Sequence, residues 1–185
     1  MPRYAALLGS VNVGRNRLTM AELRRAFEVE GMANVETVVA SGNVLFDHEA
    51  RPSDGIGEKL ALVMLERFGF TSTAVVRSRD ELAAAVAGNP FVDCGDDQRV
   101  HSLFLTAQPS AEQFEAMVAA YDGRGPERMA LGDRLVYVDL VAGAGHSRLS
   151  LGFVERRLDC KATARNLRSV ARIIAKMDEQ GGGGQ

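Results

Sequence analysis

Residues 4–13 form a nearly continuous apolar run, and this run limits the choice of fold more than any other part of the chain. A strand with one buried face alternates apolar and polar residues, so a continuous run predicts a strand that is covered on both faces. Two polar segments, residues 10–17 and 41–43, interrupt the apolar stretch from Tyr4 to Phe46. Both place small or amide side chains where packing alone would favour Val or Ile, so both are candidate functional segments.

The first 77 residues predict the element order β-α-β-β-α-β. Strands are predicted at residues 4–13, 35–40, 44–46 and 71–76. Thr19 and Glu22 have the spacing of a capping box, which predicts the start of the first helix, and a second helix precedes the fourth strand. This order is typical of a ferredoxin-like fold.

The second half opens in the same order and closes differently. Residues 98–178 predict a strand at 100–106, a helix capped by Ser110, and a hairpin around Gly132 and Asp133, followed by helices at 150–158 and 164–177. We therefore predict an α+β protein made of two ferredoxin-like halves, with antiparallel sheets and helices packed on one face. The predicted divisions are 1–77, a helix and linker at 78–97, a β-α-β-β-α-α half at 98–178, and a flexible Gly-rich tail at 179–185.

The amino-acid composition limits the kinds of molecule that this protein is expected to bind. The 185-residue chain carries 22 basic and 24 acidic residues, a net charge of −2, and the missing basic excess argues against nucleic acid as a partner. The two cysteines lie far apart and the three histidines are scattered, which predicts no metal site and no bound cofactor. No apolar run reaches the ~18 residues that span a bilayer, and no signal peptide pattern is found, so we expect a cytoplasmic protein without a membrane partner.

The polar segment at residues 10–17 lies between a buried strand and the N-terminus of a capped helix. Backbone N–H groups and the helix dipole favour an anion at such a terminus. Arg15 and Arg17, together with Asn12 and Gly14, are therefore candidates to bind a phosphate or a carboxylate. A solvated turn with two surface arginines explains the same residues, and the spacing of a P-loop is absent.

The second polar segment lies between two predicted strands. Ser41 and Asn43 flank a glycine, and Gly and Asn both tolerate the positive φ angles of turns. A ligand contact by Ser41 and Asn43 is the alternative, and it requires this loop to face Asn12.

Two polar features of the second half are also candidates. Thr163 is the predicted N-cap of the last helix, and a helix start does not explain the pair Arg165 and Asn166 that follows. Asp139 is the one carboxylate inside an apolar strand, which an edge strand facing water would explain. The glycine-rich residues 143–148 lack the third glycine of a dinucleotide fingerprint and predict a flexible connection. No catalytic residue is predicted, since no nucleophile motif occurs.

Taken together, these motifs resemble the bacterial domain of unknown function 1697 family over residues 4–177. The resemblance rests on Tyr4-Ala5-Ala6-Leu7-Leu8, Asn12-Val13-Gly14, Met20 with Leu23, Ser41-Gly42-Asn43-Val44, Asn89-Pro90-Phe91 and Thr163-Ala164-Arg165-Asn166. It implies a compact cytosolic α+β protein of two ferredoxin-like halves, and it implies no established activity.

The chain departs from the family pattern at three places. Gly9-Ser10 stands where the family usually has Arg-Gly, Gly14 stands where it has a pair of glycines, and Leu167 stands where it has a tryptophan. If the polar residues of the family form an anion or base-stacking site, this chain lacks one arginine and one aromatic platform of that site.

Three hypotheses about function stay open. The first is a small-ligand-binding or regulatory domain whose polar residues converge on a small anionic ligand such as a nucleotide; these residues are Asn12, Gly14, Arg15, Arg17, Ser41, Asn43, Arg165 and Asn166. The second is an enzyme that acts on a phosphorylated small molecule. The third is an RNA-binding or protein-interaction module, although the strand aromatics do not match an RNA-binding sheet. The sequence leaves the oligomeric state open, because an edge strand of either half could pair across a two-fold axis.

Overall fold

The protein is described by a computed structural model that covers residues 1–38, 42–93 and 96–181. The chain divides into two compact units. The first unit contains Met1–Ala83 and the segment that starts at Ala171, and the second contains Ala84–Val170. No helix in the described part of the chain is long and apolar enough to cross a membrane.

The first unit is built on a four-stranded antiparallel sheet. Its elements are β1 (Arg3–Leu8), α1 (Met20–Val29), β2 (Ala33–Thr37), β3 (Asn43–Asp47), α2 (Ser53–Phe68) and β4 (Ala74–Ser78), followed by α3 (Arg79–Ala87). The strand order β2-β3-β1-β4 is that of a ferredoxin-like sheet. The order predicted for the first half is confirmed.

The second unit repeats this arrangement. Its elements are β5 (Val100–Leu105), α4 (Ala111–Tyr121), β6 (Arg128–Gly132), β7 (Leu135–Asp139), α5 (Leu151–Leu158) and β8 (Ala162–Asn166), and α6 (Leu167–Gly181) ends the described chain. The strand order β6-β7-β5-β8 corresponds element by element to that of the first unit. The predicted fold class, α+β with two similar halves, is confirmed.

In the first unit, α1 and α2 cover one face of the sheet. Phe27 from α1 and Phe46 from β3 are fully buried, and their rings meet edge to face with centroids 5.7 Å apart. Gly57 allows α2 to approach β4, because a Cβ at this position would lie 2.7 Å from the Ala74 carbonyl oxygen. The opposite face carries Ala5 and Leu45, which are equally inaccessible to solvent, so the sheet is buried on both faces.

The last strand is the main correction to the prediction. Residues 164–177 were expected to form one helix with Thr163 as its N-cap, but Ala162–Asn166 is the strand β8, which pairs antiparallel with β5. The N-cap is Asn166, whose Oδ1 accepts a hydrogen bond of 2.8 Å from the Ser169 N–H. Alanine, arginine and asparagine carry no strong strand preference, so pairing with β5 decides the conformation here.

Several boundaries also differ from their predictions. The second strand covers Ala33–Thr37 and not 35–40, and the fourth covers Ala74–Ser78 and not 71–76. The first strand ends at Leu8 and not at residue 13, because Ser10 and Asn12 have φ angles of 59° and 56°, which a strand does not accept. The turn between β6 and β7 is shifted by one residue to Asp133 and Arg134. The last helix continues to Gly181, into the predicted tail, and Asp178 is held there by Arg79 at 2.9 Å.

The core of the first unit generates a stability prediction. Phe27→Ala removes a fully buried ring and should lower the free energy of unfolding by about 3–5 kcal/mol. Val29→Ala, on the same helix at a position 60% exposed, should change it by less than about 0.5 kcal/mol. Urea denaturation followed by circular dichroism measures both. Equal losses in the two variants would contradict the packing described for α1.

Candidate functional site

The first candidate site is the β1–α1 loop, residues 9–19, at one end of the sheet of the first unit. Its start is held from two sides, because the Leu8 N–H donates to the Gly42 carbonyl and the Gly9 N–H donates to the Thr73 carbonyl, each at 2.7 Å. Val11 and Leu18 are buried in the core on which α1 and α2 pack. Both ends of the loop are therefore anchored.

The interior of the loop is held by its own amide side chains. Asn12 Oδ1 accepts from the Leu18 N–H at 3.0 Å, and Asn16 Nδ2 donates to the Ser10 carbonyl at 3.0 Å. Arg17 Nη1 donates to the Asn12 carbonyl, also at 3.0 Å. These bonds give the loop a defined shape without regular secondary structure.

Three positions of the loop have left-handed backbone conformations. Ser10, Asn12 and Gly14 have φ angles of 59°, 56° and 58°. Glycine adopts this region freely and asparagine tolerates it, whereas serine is strained there. Backbone strain of this kind occurs preferentially at functional sites.

The capping box at the start of α1 is confirmed. Glu22 accepts from the Thr19 N–H at 2.7 Å, and the Thr19 hydroxyl accepts from the Glu22 N–H at 3.1 Å. The hydrogen bonds from the Thr19 backbone and side chain lower the pKa of Glu22, so the carboxylate is charged at neutral pH. The negative charge at the helix start is thus already supplied by the chain itself.

Gly42, directly before β3, adjoins the end of β1, because its carbonyl accepts from the Leu8 N–H. Ser41 lies outside the described residues. Asn43 is only 4% exposed, and its carbonyl accepts from the Val38 N–H at 3.0 Å. Asn43 pairs with Leu7 in the sheet register, so its side chain lies on the face opposite to α1 and α2.

Arg165 and Asn166 belong to the second unit, at the end of β8. Arg165 Nη1 donates to the Thr163 hydroxyl at 2.8 Å and to the Ala164 carbonyl at 2.7 Å. Burial lowers the pKa of Arg165 to about 10, which leaves the guanidinium protonated at neutral pH. The Asn166 amide oxygen caps α6, so the pair now has a structural explanation that the sequence did not supply.

The first unit contains a counterpart of this pair that the sequence reasoning missed. Arg77 pairs with Ala5 in the register of β4 and β1, as Arg165 pairs with Ser102 in the register of β8 and β5. Arg77 is 3% exposed and its Nη1 donates to the Val76 carbonyl at 2.8 Å. The next residue, Ser78, caps α3 by accepting from the Glu81 N–H. The signal was the shared pattern Ala-x-x-Arg followed by a capping residue.

A second missed feature is a hydrogen-bonded cluster in the second unit. The Tyr121 hydroxyl donates to Glu127 Oε2 at 2.7 Å, and Ser147 bonds to the same carboxylate. Burial, followed by the bond to Glu127, raises the pKa of Tyr121 to about 12. Burial alone would raise the pKa of Glu127, but the hydrogen bonds from Ser147 and Tyr121 outweigh it and lower that pKa. Spacing along the chain could not reveal this cluster, since Ser147 is distant in sequence from Tyr121 and Glu127.

Asp139 is not on an edge strand facing water, which corrects the sequence-based explanation. The strand β7 lies between β6 and β5, and Asp139 is 3% exposed. Arg128 donates to Asp139 Oδ2, with Nη2 at 2.5 Å, and the guanidinium lies 5.2 Å from the ring centroid of Phe91. Among the described residues, no group of three or more His, Cys, Asp or Glu side chains is placed to hold a metal ion.

Comparison with known proteins identifies the family. The family described as a protein of unknown function, DUF1697, matches residues 1–137. The chain belongs to the DUF1697 family. It is also similar to a solved structure, that of the conserved bacterial protein SP0830 from Streptococcus pneumoniae, with 26% sequence identity and a TM-score of 0.75 over 96% of this chain and 99% of the other. No curated protein matches the sequence.

Membership of DUF1697 confirms the resemblance drawn from the motifs, while the Arg165 segment lies beyond the matched residues. Position 10 is one of the departures noted in the sequence, where the resemblance implies a glycine. The φ angle of 59° there is one that glycine adopts without strain. Serine at this position therefore carries a conformational cost that a glycine would avoid.

The strained loop yields a matched pair of substitutions. Ser10→Val places a β-branched residue in the left-handed region and should destabilise the protein by about 1–2 kcal/mol. Ser10→Gly relieves the same strain and should leave stability equal or raised. Urea midpoints of the two variants check the difference. A valine variant as stable as the glycine variant would show that position 10 is not left-handed.

The Tyr121 cluster yields a pH prediction. The folded-state pKa of Tyr121 lies above the unfolded value near 10. The group therefore contributes stability that is complete below about pH 10 and is lost as the pH rises towards 12. In an ultraviolet titration of phenolate absorbance, Tyr121→Phe should remove the ionisation step near pH 12, and Glu127→Gln should move that step to lower pH. An unchanged step in both variants would contradict the hydrogen bond.

Proposed function

We propose that this protein is a binding or regulatory protein that holds a small anionic ligand, of the size of a nucleotide or a sugar phosphate, at the β1–α1 loop. Arg15 and Arg17 contact the anion in this proposal. Asn12 and Gly14 shape the loop that presents them. The ligand class includes the phosphorylated metabolites of the cytoplasm, the compartment that the sequence predicts.

The single observation that carries the proposal is the absence of an internal counter-ion for the loop arginines. Arg15 is exposed and makes no hydrogen bond or ion pair with any residue that the structure describes, and Arg17 bonds to a backbone carbonyl without a carboxylate partner there. Six of the other arginines have carboxylate partners within 3.1 Å, namely Arg3, Arg51, Arg67, Arg79, Arg128 and Arg168.

The charge around the loop supports the same ligand class. Residues 9–27 contain four arginines, at positions 15, 17, 24 and 25, and a single carboxylate, Glu22. Arginine presents a planar fork of N–H donors that matches phosphate and carboxylate oxygens. Since Glu22 occupies the start of α1, the guanidinium groups and not the helix N-terminus would neutralise the ligand.

The fixed shape of the β1–α1 loop is a second argument for ligand binding, which concerns entropy and not charge. A loop that is already ordered loses little conformational entropy when a ligand binds, so more of the interaction energy appears as affinity. The bonds of Asn12 and Asn16 to the loop backbone supply this order before any ligand arrives.

A thermal-shift screen against nucleotides, sugar phosphates and small dicarboxylates tests the proposal. A ligand at 100 times its Kd adds about 2.7 kcal/mol to stability, which raises the Tm by several degrees. Arg15→Ala and Arg17→Ala should each weaken binding about tenfold or more. Arg15→Ala should leave the Tm of the free protein unchanged, since the side chain is exposed, and Arg17→Ala should lower it only slightly, since it also removes one exposed bond to the Asn12 carbonyl.

The matched control is Arg172→Ala, which removes one exposed arginine from α6. This variant should bind as the wild type does. A panel without any shift would overturn the proposal, and equal affinity in the wild type and in both loop variants would place the ligand elsewhere.

A further inference from the structure

The second unit contains a small apolar pocket on the face of its sheet where α4 and α5 pack. The pocket has a volume of about 190 Å³. Leu103, Val138 and Ala164, from three neighbouring strands, form its floor, and Leu149 and Leu151 close one side. Two polar residues, His101 and Ser147, also line it.

The first unit fills the corresponding space with aromatic rings. In the first unit Tyr4 of β1 lies opposite Phe46 of β3, and in the second unit His101 of β5 lies opposite Val138 of β7. His101 is therefore the equivalent of Tyr4, and Val138 is the equivalent of Phe46. Tyr4 and Phe46 stack with ring centroids 5.9 Å apart. Tyr4 also bonds through its hydroxyl to the backbone of Arg51, at 3.0 Å to the carbonyl and 3.2 Å to the N–H.

Ala164, on β8, is also smaller than its equivalent in the first unit. Ala164 pairs with Leu103 as Val76 pairs with Ala6, so alanine in the second unit replaces valine in the first. The two units share one framework, and three side chains that line the pocket are smaller than their equivalents in the first unit. Leu103 is larger than its equivalent Ala6 and refills part of the space, but a pocket of about 190 Å³ is left. Its apolar surface is one that a ligand can cover.

The polar groups of the pocket limit the chemistry of that ligand. His101 Nδ1 lies 2.9 Å from the Arg99 carbonyl oxygen, which can only accept, so Nδ1 carries the proton. In this tautomer Nε2 has an acceptor lone pair, and Nε2 makes no hydrogen bond to any residue that the structure describes. The Ser147 hydroxyl is already used, because it accepts from the Leu149 N–H and bonds to Glu127.

We propose that this pocket binds a small uncharged aromatic or branched aliphatic molecule that carries one hydroxyl group, which donates to His101 Nε2. The volume suits a single ring, since an apolar protein cavity of about 150 Å³ binds benzene. A charged group would lose its hydration against the leucine side chains, so the ligand is neutral. This site lies within the second unit and does not depend on the anion site proposed for the first.

Titration of the ¹⁵N-labelled protein with phenol, benzene and benzoate tests the proposal by nuclear magnetic resonance. Phenol should cause saturable shifts confined to β5, β7, β8 and residues 140–151. Benzene should bind about five- to tenfold more weakly, as expected for one lost hydrogen bond in an apolar site, and benzoate should not bind. Equal affinities for phenol and benzene, or shifts outside this pocket, would overturn the proposal.

Two substitutions that introduce the larger side chains of the first unit test whether phenol binds in the pocket. Val138→Phe introduces the ring found at Phe46, and Ala164→Val introduces the side chain found at Val76. Each should abolish the saturable phenol shifts, and the milder Ala164→Val keeps the test decisive if the larger phenylalanine disturbs folding. Leu62→Phe, at a 54% exposed position of α2, is the control and should bind phenol as the wild type does.

His101→Phe tests the hydrogen bond itself. It keeps a ring at this position and removes the acceptor, so phenol should bind only as tightly as benzene while the affinity for benzene stays unchanged. A purely structural role of His101 would weaken both probes alike. Retained preference for phenol in this variant, or phenol binding in both filled variants, would refute the site.

Discussion

Burial of both faces of each sheet is the constraint on which the rest of the structure depends. Every residue of β7 is buried, and β1, β3 and β4 are buried almost throughout. A charged side chain in such a strand must have a partner inside the protein, because an unpaired buried charge is very costly. Asp47 of β3 accordingly bonds to Arg3 of the central strand β1 at 2.9 Å. Asp139, at the equivalent position of β7, bonds instead to Arg128 of the edge strand β6.

The two units share one arrangement of strands and buried charges, and they differ in one loop and in part of the core. In each unit the first strand, β1 or β5, pairs with a strand that ends in an aspartate, β3 or β7. It also pairs with a strand that ends in an arginine followed by a helix-capping residue, β4 or β8. The first unit fills its core with Tyr4, Phe27 and Phe46 and carries the arginine-rich loop. The second unit has smaller residues at two of the equivalent positions and contains the pocket beside His101. The shared framework supplies stability, and the differences between the units are the features on which the two proposed sites depend.

Much of the fold could be predicted because its signals are local. The capping residues Thr19 and Ser110 were predicted to begin helices and do so, since a capping side chain and the N–H groups that it satisfies lie within one turn. The strand β8 could not be predicted, because its residues suit a helix equally well and only pairing with β5 selects the extended form. The end of β1 was also missed, since Val11 continues the apolar pattern and is buried as a loop residue in the same core.

The sequence by itself determined the family, the α+β class, the helix starts and the position of the arginine-rich loop, all of which depend on residues close together in the chain. Only the tertiary structure showed which hydrogen bonds the polar residues make. Asn12 and Asn16 bond to the backbone of their own loop, and Asn166 caps a helix. The tertiary structure also brought His101, Val138 and Ala164 around one pocket, which no spacing along the chain reveals, because sheet register joins residues that are far apart in sequence.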